Sequence, residues 1–403
     1  MINTATVWGQ SSLWIKVGWL IGCIFGWPVR CVGRPDSLFV ILSGSLGDAL
    51  LFSGALREIR RATTGRHIVL LLPERAYPLL ARCPHVDEIF APSMHTGVWH
   101  SLARVGTAVR LFLRRYDIVL CPALIKGEDS EFIAYLARAR RRVLMEWRST
   151  TVLPQNYREE WKPHETFLSQ EPHELDRTVL FMQAAGFNGV KSRKEIWPET
   201  YVTDGERASV RQEIERYRQE NPNTLVVSVC AGARFKQKDW GTNNFIELLS
   251  RLGQTNPIIV ILLGSAEDCL VNTVIESGVN GITGVRVLDT TAKVGLFFAM
   301  AYIAESDICL GNDTFGLHVA ITFGTLSVVV MWGGDNERWA PWGDPIRHRM
   351  VRSRDQSCFG CRGQCQGSEY RCMRSIRVDE VVGEVNDLIA VMRQSGIQKS
   401  SQK

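Results

Sequence analysis

The chain lacks a run of apolar residues long enough to cross a bilayer. Its most membrane-like stretch, Leu13 to Val29, falls short of the roughly 20 residues a spanning helix needs, and it ends at Pro28 and Arg30 with no small-residue cleavage site behind it. Strong charge of either sign is also missing. The 47 basic and 42 acidic side chains leave a formal +5, well short of the basic footprint of a dedicated nucleic-acid binder, so no nucleic-acid partner is expected. A secreted disulfide framework is absent too: seven of the 11 cysteines, among them Cys230, Cys269 and Cys309, are scattered singly and read as buried, reduced thiols. There is no low-complexity segment and no short internal repeat, which excludes disordered and solenoid architectures.

What remains is the composition of an ordinary globular enzyme, 45% apolar and 22% charged. At 403 residues it exceeds what a single core usually covers, so two domains are expected. Strand-like runs alternate with helical spacing from the all-apolar Leu38 to Leu42 onward. Further strands are predicted at Ile68 to Leu72, Val86 to Phe90, Asp117 to Cys121 and Arg142 to Met145. Between Glu146 and about Pro172 the period is lost among Trp, Pro, His and Glu, which reads as loops. A helix follows at Leu175 to Ala185, and the polar stretch Lys191 to Asp204 reads as a linker.

The second half repeats this grammar. A helix at Asp204 to Gln219 leads into strands at Leu225 to Val229, Ile258 to Leu263, Arg286 to Leu288, Ile308 to Leu310 and Leu326 to Met331, and an amphipathic helix around Val381 to Met392 closes the chain. Two βα arrays of similar size imply an α/β protein of two Rossmann-like, doubly wound domains, with ligands outside the carboxyl ends of the strands. The expected division is 1–37 as an apolar N-terminal helix, 38–195 and 196–376 as the two domains, the second carrying a cysteine cluster, and 377–403 as closing helix and tail. In the N-terminal stretch, Gly18, Gly22 and Gly26 share one helix face, and Trp14, Trp19 and Trp27 suit an interfacial position. Docking at a membrane surface therefore stands beside packing on the protein's own core.

Three strings at strand exits carry chemistry. Ser43-Gly44-Ser45-Leu46-Gly47-Asp48 has glycines that admit a ligand to the backbone; its Asp48 serves either as a helix N-cap or as a working carboxylate. In Ala231-Gly232-Ala233-Arg234-Phe235-Lys236-Gln237-Lys238-Asp239-Trp240, small residues precede three cations suited to clamping a diphosphate, against the plainer reading of a solvated basic loop. In Gly311-Asn312-Asp313-Thr314-Phe315-Gly316-Leu317-His318 a strand again meets a helix whose first N–H groups would face an anion, and a lone His318 is more often structural. Neither a complete G-x-G-x-x-G nor a phosphate-loop lysine pattern is present.

Together, in this order, the strings resemble glycosyltransferase family nine, the bacterial ADP-heptose:lipopolysaccharide heptosyltransferases and their relatives, over roughly Leu38 to Ile389. The resemblance implies a GT-B fold with the two domains facing across a cleft, and an inverting transfer of a sugar, heptose by preference, from a nucleotide-diphosphate donor, ADP-heptose by preference. It implies a lipopolysaccharide-core or related glycan or glycolipid acceptor, no cofactor for catalysis, and a cytoplasmic location peripheral to the inner membrane. On this reading Asp48 is the general base; Lys238 holds the donor phosphates with Gly232, Arg234 and Lys236; and Asp313, Thr314, Phe315, Gly316 and His318 form the phosphate loop. Two positions depart from the pattern: Phe315 stands where the family usually has glycine, and no carboxylate lies between Asp289 and Glu305, where some relatives hold the nucleotide ribose.

Cys358, Cys361, Cys365 and Cys372 are spaced to surround one zinc or iron, as an alternative to free thiols or disulfides, and similar clusters occur in relatives. The run Arg138, Arg140, Arg141, Arg142 is either a solvated face or a contact to a phosphorylated acceptor. Two rival functions remain at this level: a sugar-nucleotide epimerase of the same architecture, and a metal-stapled binding protein centred on the cysteines.

Overall fold

The computed structural model describes residues 37–92, 98–122, 137–146, 165–168, 173–219, 221–334, 337–353 and 370–394, with single residues at 17, 130, 133, 134 and 365. The predicted N-terminal helix lies outside the described residues apart from Val17. Contacts divide the chain into two compact units, Met1–Tyr201 and Val202–Lys403.

The first unit is a six-stranded, all-parallel sheet of β1 (Leu38–Ile41), β2 (Ile68–Leu71), β3 (Glu88–Phe90), β4 (Arg115–Cys121), β5 (Arg138–Glu146) and β6 (Glu165–Leu168), in the order β3-β2-β1-β4-β5-β6. Its central strands are apolar without alternation because both faces are covered: all four residues of β1 and of β2 are buried. After β1 comes helix α1 (Leu46–Ala62), which starts at Ser45 and ends with Arg60 and Arg61 beside its exposed carbonyls. Helix α2 (Val98–Leu113) precedes β4, and α3 (Glu174–Ala184) follows β6.

The boundary between the units, after Tyr201, falls within the polar stretch read as a linker, and the part of that stretch before it packs on the first unit. Ser53 Oγ accepts from the N–H of Glu199 at 2.6 Å, Arg57 reaches Glu199 Oε1 at 2.5 Å and the carbonyl of Glu195 at 2.6 Å, and His85 Nε2 lies 2.8 Å from Glu199 Oε2. Tyr201 donates to Cys83 Sγ at 3.0 Å. The polar side chains of this stretch are therefore spent on partners in the first unit.

The arginine run also has a structural use. It forms β5, where Arg141 donates to the carbonyls of Ala184 and Ala185, both at 2.9 Å, closing the C-terminus of α3. Arg142 donates to Ala134 and Ala137, and Arg140 pairs with Asp117 at 2.8 Å. It is not a simple solvated face.

The second unit opens with α4 (Asp204–Arg218), entered through a capping box between Thr203 and Glu206. Its sheet comprises β7 (Leu225–Cys230), β8 (Ile258–Leu262), β9 (Val285–Asp289), β10 (Ile308–Asn312), β11 (Leu326–Met331) and β12 (His348–Arg352). All are parallel, in the order β12-β11-β10-β7-β8-β9. The longer helices described in the unit are α5 (Thr242–Thr255), α6 (Cys269–Val279), α7 (Leu296–Glu305), α8 (Phe315–Phe323) and α9 (Val378–Gln394). Leu248, Leu249 and Leu252 of α5, Ile275 of α6 and Val385 and Leu388 of α9 join the strands in one core. Glu305, buried at the end of α7, takes Arg207 at 2.7 Å and Arg211 at 3.0 Å from α4.

Read from its first strand, each sheet runs 3-2-1-4-5-6. The order therefore reverses between β1 and β4 in the first unit and between β7 and β10 in the second, and those carboxyl ends are where a doubly wound sheet receives its ligand.

Candidate active site

In the second unit the strings that leave β7 and β10 meet at the reversal point. Lys238, in a short turn after β7, places Nζ 2.5 Å from Asp313 Oδ2, just past β10, and over the ring of Trp332 at the exit of β11, 5.5 Å from its centroid. Asp313 is buried and Lys238 nearly so, with 3% and 19% of their side chains exposed. Asn312 fixes the spacing of the two strings, accepting from the N–H of Trp240 at 3.2 Å and donating to Ala231 at 2.7 Å. Trp240 is itself anchored, its indole donating to Ile376 at 2.9 Å and its ring meeting Phe245 edge-on.

Thr314 is the extended N-cap of α8, with no side-chain bond to the helix. The N–H groups that follow belong to the first turn, whose donors have no partner within a helix, and the dipole there favours an anion. Phe315 is half-buried at this start, and Gly316 has no side chain because Cys230 Sγ occupies that space. Contact with Cys309, then burial, pushes the Cys230 thiol well up, so it is a neutral packing group beneath the loop. Arg234 and Lys236 are exposed, and among the described residues the contact found for Arg234 is its neighbour Phe235, 5.6 Å from guanidinium to ring centroid. His318 is buried on α8 and receives the Trp342 indole at 3.4 Å, so its ring is engaged within the unit.

One carboxylate escaped the sequence reading. Asp268, just past β8, fills the space a side chain on Gly232 would need, and its Oδ2 accepts the N–H and hydroxyl of Ser265 at 2.8 and 2.9 Å. The signal was present in Gly264-Ser265-Ala266-Glu267-Asp268, which repeats the spacing of Gly44-Ser45-Leu46-Gly47-Asp48.

In the first unit the corresponding exit is that of β1. Asp48 is buried at the third position of α1 rather than at its N-cap, which is Ser45, and its Oδ2 accepts the Ser45 N–H and, at 2.8 Å, the Ser45 hydroxyl. Gly44 is required for that approach: a methyl group there would overlap the Asp48 side chain.

The cysteine cluster is only partly described. Cys358 and Cys361 lie outside the described residues, Cys365 is half-buried, and Cys372 packs into the apolar core beside Met373 and Ile376. Among the described residues, which include two of these four cysteines, no group of three His, Cys, Asp or Glu side chains could hold a metal ion. Among the same residues no helix is long and apolar enough to cross a membrane.

Two all-parallel α/β units built in the same strand order are the architecture of the GT-B class. The chain belongs to glycosyltransferase family 9 (heptosyltransferase), whose pattern matches residues 110–367, and it is therefore a glycosyltransferase. Lipooligosaccharide heptosyltransferase 2 of Haemophilus ducreyi is 21% identical over 361 residues, covering 88% of this chain and 99% of that one. Lipopolysaccharide heptosyltransferase 2 of Escherichia coli K12 is 22% identical over 360 residues, covering 87% and 98%. Among solved structures, a family 9 glycosyl transferase from Veillonella parvula superposes with a TM-score of 0.69 at 16% identity, covering 89% of this chain and 98% of that one. E. coli ADP-heptose lps heptosyltransferase II superposes at 0.64 and 18%, covering 89% and 99%; these likenesses concern the fold.

Proposed function

We propose that this enzyme moves a heptose from ADP-heptose to a hydroxyl of a lipopolysaccharide-core glycan with inversion, its first unit receiving the acceptor and its second the donor. The observation that carries the reading is the Lys238–Asp313 pair beside the N-terminus of α8, an anion site at the place a doubly wound sheet binds a nucleotide. The names of the curated relatives and of the E. coli structure supply the sugar and the acceptor class.

In the proposed step an acceptor oxygen attacks the anomeric carbon, its proton passes to Asp48, and the bond from that carbon to the ADP oxygen breaks. Lys238 and the N–H groups from Thr314 to Gly316 take up the charge that grows on the leaving diphosphate, with Arg234 and Lys236 closing over it. Asp313 acts through Lys238, holding the ammonium in place, and His318 supports α8 from within. Asp268 stands past β8 with its carboxylate against Gly232, and we assign it a contact to the donor ribose in place of the missing carboxylate before Glu305. No step needs a metal.

The enzyme would work on the cytoplasmic side of the inner membrane, where Leu13 to Val29 would rest on the surface that carries a glycolipid acceptor. Co-sedimentation with anionic vesicles, compared with a chain lacking residues 1–36, checks that contact. The function is tested by melting the protein with ADP, UDP and GDP and then assaying ADP release from ADP-heptose with and without core acceptor. ADP should raise the midpoint most, and release should depend on acceptor. Stabilisation by no nucleoside diphosphate overturns the reading, and isomerised sugar without acceptor replaces it with an epimerase.

A further inference from the structure

Trp332 is the first residue past β11, at the same sheet end as Lys238 and Asp313. It is 6% exposed, and its ring is held in place by Gly334, where any side chain would overlap it. The ring face carries the Lys238 ammonium, 5.5 Å from Nζ to centroid. Its Nε1–H is buried, and among the described residues no group accepts from it. A buried indole N–H without an acceptor is uncommon, because a donor taken out of water and left unpaired is destabilising. Here the unpaired donor belongs to a ring already in contact with the one lysine that the anion site turns on.

We propose that Trp332 is a donor-binding residue of this glycosyltransferase: its ring face positions Lys238, and its Nε1–H hydrogen-bonds an anionic oxygen of the bound diphosphate. The inference rests on the reading of that loop as the diphosphate site. An ammonium over the π face and an N–H in the ring plane give one rigid side chain two separate contributions beside the Lys238–Asp313 pair; phenylalanine keeps only the first and leucine neither.

The test separates the two contributions. Trp332→Phe keeps the face and removes the N–H, and Trp332→Leu removes both. By calorimetry, W332F should bind ADP about tenfold more weakly than wild type, and W332L several-fold more weakly again, whereas adenosine, which has no diphosphate, should bind all three alike. Independently, pyrophosphate added to the 15N-labelled wild-type protein should move the indole N–H resonance that disappears in W332F, one of those from the 12 tryptophans; W332Y serves the assignment should W332F not fold. Equal ADP affinity in W332F and wild type overturns the proposal, as does equal loss of ADP and adenosine, or a pyrophosphate titration that moves no indole resonance. Wild-type protein that binds no nucleoside diphosphate overturns the transferase reading itself, a result distinct from all of these.

Discussion

Asp48 holds two jobs that pull in different directions. As the third residue of α1 it accepts two hydrogen bonds from Ser45 and starts the helix, and as the proposed base it must take a proton. Asp48→Asn keeps an acceptor for Ser45 but cannot take the proton, so turnover should fall by about 10²–10⁴ while the melting midpoint and ADP affinity stay near wild type. Turnover of the Asn variant within a few-fold of wild type would leave Asp48 as a cap only. Lys238 poses the opposite problem, because removing it strands a buried carboxylate. Lys238→Ala should lose about 3 kcal/mol of stability along with ADP affinity, and the K238A/D313N double variant should regain most of the stability without regaining turnover. Thermal melts beside kcat measurements decide it; a double variant with restored turnover would confine the lysine to a structural role. Both residues were legible in the sequence because each lies in a glycine-marked strand exit. Asp268 was passed over although its string repeats the Asp48 spacing, since that string carries no run of cations and its neighbour Gly232 is 36 residues away.

At the level of elements, ten of the 12 strands among the described residues were legible, and the two missed, β6 and β12, occupy sheet edges. The reason is physical: an inner parallel strand is covered on both faces and reads as an unbroken apolar run, whereas an edge strand is not. In β12, His-Arg-Met-Val-Arg, only His348 and Val351 are buried, and β6 is four residues long. The start of β5 was obscured differently: its arginines read as a surface run although they pair with carbonyls and Asp117. The element to which Arg141 matters is α3. Arg141→Ala should lower stability by about 2 kcal/mol, from two charge-assisted bonds to the last carbonyls of that helix, and leave the acceptor KM unchanged. A raised KM with unaltered melting would instead return the arginine to the acceptor.

For the whole molecule, two sheets built in the same strand order explain why the architecture was legible at all: the βα rhythm restarts, and each restart must close its own core. The closing edge of the second sheet also sets how that unit answers to acid. His348 opens β12 within 3.0 Å of Ser327 Oγ, and burial, followed by the neighbouring Arg347 charge, pulls its imidazole down to about 4 against a partial counter-pull from Asp344. Its folded pKa thus lies below the ordinary value of about 6.5, so between these two values the unfolded chain binds a proton that the folded chain refuses. Stability from this group is complete above about pH 6.5 and is lost as the pH falls toward 4, by about 3 kcal/mol across the window. Denaturant unfolding from pH 7.5 to pH 4 should therefore show a smaller loss of stability in His348→Gln than in wild type, the Gln side chain carrying no proton to refuse. Parallel curves for the two proteins would mean that His348 is charged in the folded sheet and that the acid response belongs elsewhere.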